Sequence, residues 1–529
     1  MKKKIVSCFL MSIIVLTMGG VSLAAEKRTL RVIFHDTRYK LMPREEAIHS
    51  GAFYEPIDEV MRTMIEYLHP TVKIEGLSYS IWAEGATQKI LAAIAGGEPL
   101  AYYPTVKIGG IRTAIAKGLC ADITEWVEAD PMVKTLDKRL TKAAWKDGRC
   151  YAIPTNNYHS DVIGYRKDFF KEAGFFDGRG IPGPPDNWTW DDFIQIARKL
   201  TDPKKKRWGF ELEAGEGAWD LYYLVAMTYG IPTPLMKPDP SGKYTWKAAF
   251  NAPEALKPLQ LYKDLAFKYK CVLTGVEATT FTAREDMHAG RVAMRLASDM
   301  HMTLRNWGHP HRYGEDKLTL HIEGIAPLPT GPDGVLVNTC KVDFKAINPA
   351  LSKEQQKAAF DWIILSEAGI GRLLKRLVYG GFLEKPDWGF GFEPYKVPNV
   401  PYVKPIEEAL ASLAPDYLRV RKIQKELPYM PAPFEYGLEE ENKLAFDKCV
   451  LAAIQSVVTD PECDIQKVAD EQAAIANKSA LNYKVEGTGK ENFLKYYKAL
   501  GDFYKKYFPK AYKNVFSVLD EKYYSGALK

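Results

Sequence analysis

The sequence predicts an α/β protein in which mixed sheets are flanked by helices, and three observations predict it. Leu30 to Phe34 is a short apolar strand that ends in a polar loop, His35 to Lys40. An extended segment, Val72 to Leu77, is followed by a helix from Ala86 to Ala95. The stretch Tyr151 to Gly209 then packs a strand, a helix, a loop and a second helix in order. Strand followed by helix, repeated, places helices on the faces of a parallel or mixed sheet. At 529 residues there is room for two or three domains of roughly 150 residues each. No internal repeat or low-complexity tract interrupts them.

Each element has a local reason. Thr189 opens a helix as part of a capping box, with Asp192 at the position where Glu or Gln is usual. Phe193, Ile196, Ala197 and Leu200 follow at helical spacing, so this helix has one apolar face. The Gly and Pro cluster from Gly178 to Pro185 before it is a loop. Val292 to Leu296 reads as a further strand. Near the end, Phe493, Tyr496, Tyr497, Leu500, Phe503, Tyr504 and Tyr507 recur at three- and four-residue steps, an aromatic stripe that packs on the protein.

The front of the chain reads as an export signal. Lys2, Lys3 and Lys4 precede an apolar run from Ile5 to Met18, and Ser22, Leu23 and Ala24 supply the small residues of a cleavage site before Ala25. The apolar run is shorter than the ~20 residues of a spanning helix. No cysteine stands at the cleavage point, so a soluble periplasmic product without a lipid anchor is expected. Cleavage removes three of the 72 basic residues and none of the 66 acidic ones, leaving a nearly neutral protein. A nucleic-acid partner is therefore unsupported, since such proteins concentrate positive charge on one face. The basic run Lys204 to Arg207 follows Asp202 and Pro203 and reads as a solvated turn.

With Cys8 gone, Cys120, Cys150, Cys271, Cys340, Cys449 and Cys463 remain. These are expected to be structural disulfides or buried thiols, and sequence alone cannot choose among the pairings. Neighbours in sequence suggest Cys120 with Cys150 and Cys449 with Cys463, which leaves Cys271 with Cys340. No CxxC pair or histidine at ligand spacing favours a metal, and no cofactor is implied.

A set of fragments then resembles one family. ATQKILAAIAGGEP (Ala86 to Pro99), AIAKGLCADITEWV (Ala114 to Val127), DGRCYAIP (Asp147 to Pro154), GYRKDFFKEAG (Gly164 to Gly174) and NWTWDDFIQIARKLTD (Asn187 to Asp202) occur in order. HAGRVAMRLASD (His288 to Asp299), EGIAPLPTGPDG (Glu323 to Gly334) and INPALSKEQQKAAFDWIILSEAG (Ile347 to Gly369) complete the series. Together they resemble the extracellular solute-binding proteins of ABC importers, in the maltose-binding and multiple-sugar-binding branch, over roughly Leu30 to Phe382. The resemblance implies a two-lobed periplasmic binding protein fold of type II, with a ligand cleft between lobes that close on a solute and present it to a membrane permease. It places crossings near Ile153 and Pro154, near Ala326 to Pro329, and near Tyr379 to Phe382. Lobe one would hold 25–153 with 328–380, lobe two 154–327 with 381–490, and 491–529 would be a C-terminal helical tail after a 1–24 signal.

A sugar site needs an aromatic face against the C–H side of a pyranose and polar groups for its hydroxyls. In open α/β sheets such sites lie beyond the carboxyl ends of strands. The candidates are Asp36 and Arg38, beside His35 after the first strand; Trp82 before the helix at Ala86; and Asn156, Asn157 and Tyr158 just past the first crossing. Trp219 follows a Gly-rich loop and opens a helix, at a place where the family puts a stacking aromatic, with Glu213 and Glu216 upstream. Asp299 stands where the family usually has Gly and an aromatic, and Tyr379 lies at the third crossing. Each has a plain structural alternative: core packing for the aromatics, and a turn, helix cap or surface loop for the polar groups. Leu100, Tyr102 and Tyr103 depart from the family's turn and suggest extra aromatic surface for a longer ligand.

The expected function is an exported receptor, monomeric and without covalent chemistry, that takes up a carbohydrate, an oligosaccharide in the first instance, for an ABC permease. Its rivals are a secreted carbohydrate-active hydrolase, a receptor of the same fold for a non-sugar solute, and a lectin-like surface protein. No GxSxG, HExxH or GxxxxGK[ST] signature is present, and His309, His311 and Glu315 read as a solvated loop rather than a metal cluster. Paired carboxylates of a glycosidase are not excluded by spacing in a chain this rich in acids.

Overall fold

The structure is a computed structural model that describes residues 27–34, 56–78, 86–105, 108–130, 141–159, 162–232, 236–239, 246–297, 323–338, 340–368, 415–436, 443–480, 489–522 and 526. The chain forms two compact units, one of Met1–Tyr103 with Ile347–Ser366 and one of Pro104–Ala346 with Glu367–Lys529.

In the first unit, β1 (Arg28–Phe34) and β2 (Val72–Ser78) pair in parallel, with Leu30 opposite Ile74. A parallel pair cannot be joined by a tight turn, and the connection contains the helix α1 (Pro56–Leu68). Met61 and Ile65, one turn apart on α1, are fully buried with Leu30 and Val32. The helix Lys353–Trp362 joins them from far along the chain. Its capping residue Ser352 accepts from the Gln355 N–H, Gln355 Nε2 donates to Thr29 O at 2.9 Å, and His69 Nε2 lies 2.9 Å from Asp361 Oδ2. Backbone bonds of 2.8 and 2.7 Å tie Arg31 to Pro99 and Ala101. Leu100 and Tyr102 are thereby drawn to 1% exposure, so Tyr102 does not supply the extra ligand-facing aromatic surface expected from sequence.

The second unit is built on a five-stranded sheet. Its strands are β4 (Val162–Arg166), β5 (Trp208–Glu213), β6 (Val272–Gly275), β7 (Val292–Ala297) and β8 (Glu323–Pro327), in the order β6-β5-β7-β4-β8. β6, β5 and β7 are parallel, while β4 runs antiparallel to both β7 and β8. Upstream, β3 (Ile153–His159) pairs antiparallel with β9 (Cys340–Ile347). Side chains alternate across a strand, so Phe210 and Leu212 of β5 enter the large core while Glu211 and Glu213 face the other way. The helices of the second unit used below are α2 (Lys167–Ala173), α3 (Trp190–Leu200), α4 (Trp219–Thr228), α5 (Thr280–His288), α6 (Pro415–Glu426), α7 (Lys443–Thr459) and α8 (Gly489–Tyr507).

α3 shows how sequence sets this core. Thr189 Oγ1 accepts the Asp192 N–H, and Asp192 Oδ2 takes the Thr189 N–H at 2.8 Å, the reciprocal capping expected from the sequence. Phe193, at 0% exposure, then meets Trp188, Trp190 and Phe210 with ring centroids 5.1 to 5.7 Å away. The indole N–H groups are not wasted: Trp188 Nε1 donates to Pro327 O and Trp190 Nε1 to Thr228 Oγ1. The aromatic stripe of α8 completes the same core, with Phe493, Tyr496, Tyr497, Leu500, Phe503 and Tyr504 buried and Tyr507 at 46% exposure.

Ion pairs fasten the remaining pieces. Asp416 of α6, 2% exposed, meets Lys167 Nζ at 2.7 Å and Arg179 Nη2 at 3.1 Å. After α3, Asp202 caps a short turn whose Lys204, Lys205 and Lys206 are exposed as expected. Arg207 of that basic run is instead buried, 2.7 Å from Glu172 and over the Phe169 ring.

The expected disulfides are absent. The thiols of Cys150, Cys271, Cys449 and Cys463 are unbridged, so neither Cys120–Cys150, Cys449–Cys463 nor Cys271–Cys340 is formed. Geometry explains the second case. Ten helical residues carry the chain about 15 Å from Cys449 to Thr459, and Cys463 sits in the turn that follows, closed by its N–H to Asp460 O, a full helix span along from Cys449. The sulfurs pack as small apolar groups instead. Burial pushes the Cys150 thiol up to about 12 and that of Cys271 to about 11.

Candidate ligand-binding site

The carboxyl ends of β5, β6, β7 and β8 and the amino end of β4 lie along one edge of the sheet. The loop leaving β5 defines this edge best. Ala214 N–H and Gly215 N–H both donate to Ala278 O, at 3.0 and 2.7 Å, which binds the β5 loop to the loop leaving β6. Gly215 is needed for this approach: a Cβ there would stand 2.7 Å from Thr279 Cγ2 and 2.9 Å from Ala278 O. From the other side Gln455 Nε2 of α7 donates to Ala214 O at 3.0 Å. The loop is therefore held on both flanks, and it delivers Trp219 as the first residue of α4.

Trp219 is 6% exposed and belongs to the large core. Its Nε1–H is buried and has no hydrogen-bond partner among the described residues, in contrast to Trp188 and Trp190. A buried donor of this kind costs about 1–3 kcal/mol until something accepts from it. Tyr262 Oη is a second such atom, and burial followed by the nearby Glu213 charge raises its phenol well above its ordinary range. Glu213 is 1% exposed, whereas Glu216 is exposed at the loop tip. The loop thus leads from the exposed Glu216 carboxyl to a buried aromatic whose donor is unanswered among the described residues, groups of the kind that hydrogen-bond a polyol.

Of the residues picked from sequence, Glu216 and Trp219 share this loop. Asn156, Asn157 and Tyr158 lie on β3, their backbones in register with Asp343, Val342 and Lys341 of β9, so the segment is a paired strand rather than a turn. Asp36, Arg38, Trp82, Asp299 and Tyr379 lie outside the described residues, as do His35, His309, His311 and Glu315. Gln455 escaped sequence reading, because it reaches the loop from a helix with no local motif to mark it. Among the described residues no group of His, Cys, Asp or Glu is arranged to hold a metal ion.

Solved structures place this architecture among two-lobed periplasmic binding proteins. An ABC substrate-binding protein of Listeria monocytogenes in complex with cycloalternan matches 87% of this chain and 100% of its own, with a TM-score of 0.60 and 16% identity. A solute-binding protein of Agrobacterium vitis with bound D-mannitol (TM-score 0.59, 17% identity, 86% of this chain and 98% of its own) is similar, as is a Streptomyces glaucescens receptor solved with acarbose (0.58, 16%, 87% and 100%). At the sequence level, the family of bacterial extracellular solute-binding proteins matches residues 47–363. The chain belongs to that family. A Brucella abortus protein described as a binding protein is 31% identical over 193 residues, which span 36% of this chain and 40% of that relative. Among the described residues no helix is long and apolar enough to cross a membrane.

Proposed function

We propose that this protein is an exported receptor of an ABC importer that captures a carbohydrate, an oligosaccharide in the first instance, by lobe closure and delivers it to the membrane permease without covalent chemistry. Membership of the solute-binding family supports the receptor role. The carbohydrate class is supported by the sugars and sugar alcohol bound by the similar proteins of Listeria, Streptomyces and Agrobacterium. The observation that carries the reading is the Trp219 indole, which follows the loop holding Glu216, is buried, and has an N–H without a hydrogen-bond partner among the described residues, on the side of the sheet where the carboxyl ends of the parallel strands lie. In this reading Asp36, Arg38, Trp82, Asp299 and Tyr379, with Asn156, Asn157 and Tyr158, complete the site. Lobe one comprises 25–153 with 328–380 and lobe two 154–327 with 381–490. The mature protein is a periplasmic monomer released from its 1–24 signal.

Binding is tested by screening mono-, oligosaccharides and sugar alcohols for a rise in melting temperature, with tryptophan emission as the second readout. A ligand that binds the native state alone stabilises it by about 2.7 kcal/mol at a hundredfold excess over Kd. Silence across the panel with a response to a peptide or a metal would remove the sugar assignment, and turnover of a glycoside would replace the receptor with a hydrolase.

A further inference from the structure

The helix α7 lies beyond the residues that the family matches, 47–363, yet it reaches the loop that carries Trp219. Its inner face is apolar: Ala453, Ile454 and Val457 are buried and share the large core with Leu221, Tyr222 and Val225 of α4. Gln455, half-buried beside them, is polar, and its Nε2 donates to Ala214 O at 3.0 Å. About two turns earlier on α7, Asp447 Oδ1 accepts the Tyr223 hydroxyl at 2.7 Å, and the Phe446 ring stacks on that of Tyr223. α7 therefore holds the chain at Ala214 and again at Tyr223, and Trp219 lies between these two points.

The path from Gln455 to Trp219 runs through the backbone. Ala214 gives its C=O to Gln455 and its N–H to Ala278 O. Gly215 N–H joins it on Ala278 O, and Gly215 O accepts the Ala218 N–H at 3.1 Å, which turns the chain into α4. The indole adds no hold of its own: Trp188 and Trp190 are fixed by bonds from Nε1, whereas Trp219 Nε1 has no hydrogen-bond partner among the described residues. Its place is thus set by packing and by the backbone of its loop. Without the Gln455 amide, Ala214 O becomes a buried acceptor left unanswered, and the loop can pivot about its bonds to Ala278 until water reaches that carbonyl. We propose, on the reading that Trp219 meets the solute, that Gln455 is a positioning residue whose amide, through Ala214 O, sets where Trp219 stands for the ligand.

The test is fluorine NMR of the full chain labelled with fluorotryptophan, the Trp219 line being assigned by its loss in Trp219→Phe. Hydrogen exchange of the Ala214 and Gly215 amides and titration with maltose, acarbose and D-mannitol accompany it. Gln455→Leu keeps the bulk and discards the donor, and Gln455→Glu, ionised at pH 8, sets an acceptor against the carbonyl. Each should move the Trp219 line, leave those of Trp188 and Trp190 in place, and speed exchange at Ala214 and Gly215 by about two- to tenfold. Affinity for any of the three sugars that the wild type binds should fall by a similar factor. Ser456→Ala removes a bond internal to α7, from Ser456 Oγ to Ala452 O, and should leave every readout unchanged. An unmoved Trp219 line in both Gln455 variants, an equal movement in Ser456→Ala, or a moved line with unchanged affinity overturns the proposal. Silence of all three sugars in the wild type counts against the carbohydrate reading, and the fluorine line and the exchange then decide the role of Gln455 by themselves. Should Gln455→Leu not fold, Gln455→Glu decides.

Discussion

Replacing Trp219 separates the two tasks assigned to it, packing and binding. At 6% exposure within the core, its truncation to Ala removes a packed bicyclic ring and is expected to cost about 3–5 kcal/mol. Phe keeps most of the apolar volume and discards the buried N–H that lacks a partner among the described residues, a relief of about 1–3 kcal/mol that offsets much of the lost packing. Trp219→Phe is therefore expected to unfold within about 1.5 kcal/mol of the wild type. If Nε1 donates to a solute hydroxyl, the Phe variant loses one neutral hydrogen bond, about 0.5–1.5 kcal/mol, or roughly two- to tenfold in affinity. Urea melts with linear extrapolation give the first quantity and calorimetric titration the second. A Trp219→Ala protein with wild-type stability would refute the packing argument. Unchanged affinity in Trp219→Phe would take the indole N–H out of the site.

Three further outcomes are expected. Gly209→Ala would put a Cβ 2.1 Å from the Ala197 carbonyl oxygen, so α3 must back away from β5, and a loss of at least 1–3 kcal/mol should appear in a denaturant melt. Asp416→Ala removes a buried anion from Lys167 while Arg179 keeps Asp177, and a cost of about 1–3 kcal/mol is expected by the same assay, with Asp416→Asn milder. The Glu172 carboxyl is drawn down to about 2 by hydrogen bonds from Arg207 and then Lys205. Its contribution is present above the unfolded value of 4.5 and lost as pH falls toward 2, so Glu172→Gln should flatten the acid limb of stability slightly, the pair being half exposed and screened.

What could be read in the sequence was what neighbours along the chain determine. The capping box at Thr189 and the apolar face of α3 depend on residues within a turn or two, and both are present. The stripe of α8 was legible because helical period alone says which side is buried. Pairing across the chain was not legible: nothing near Val162 says that β4 runs against β7 and β8, and nothing near Asp416 names Lys167 as its partner. The cysteines failed for the same reason, since closeness in sequence between Cys449 and Cys463 is undone by the rigid rise of α7. At the candidate site, the Gly-rich loop flagged Trp219, but the bonds that fix that loop come from Ala278 and Gln455, each more than 60 residues away along the chain by numbering.

The central claim is capture of a carbohydrate, and titration calorimetry of the mature protein against oligosaccharides and sugar alcohols tests it most directly. Saturable binding of at least one of them, with a matching rise in melting temperature and no hydrolysis of the sugar recovered afterwards, is the predicted result. Heat and melting responses confined to peptides or metal ions, or a recovered sugar that has been cleaved, would contradict it.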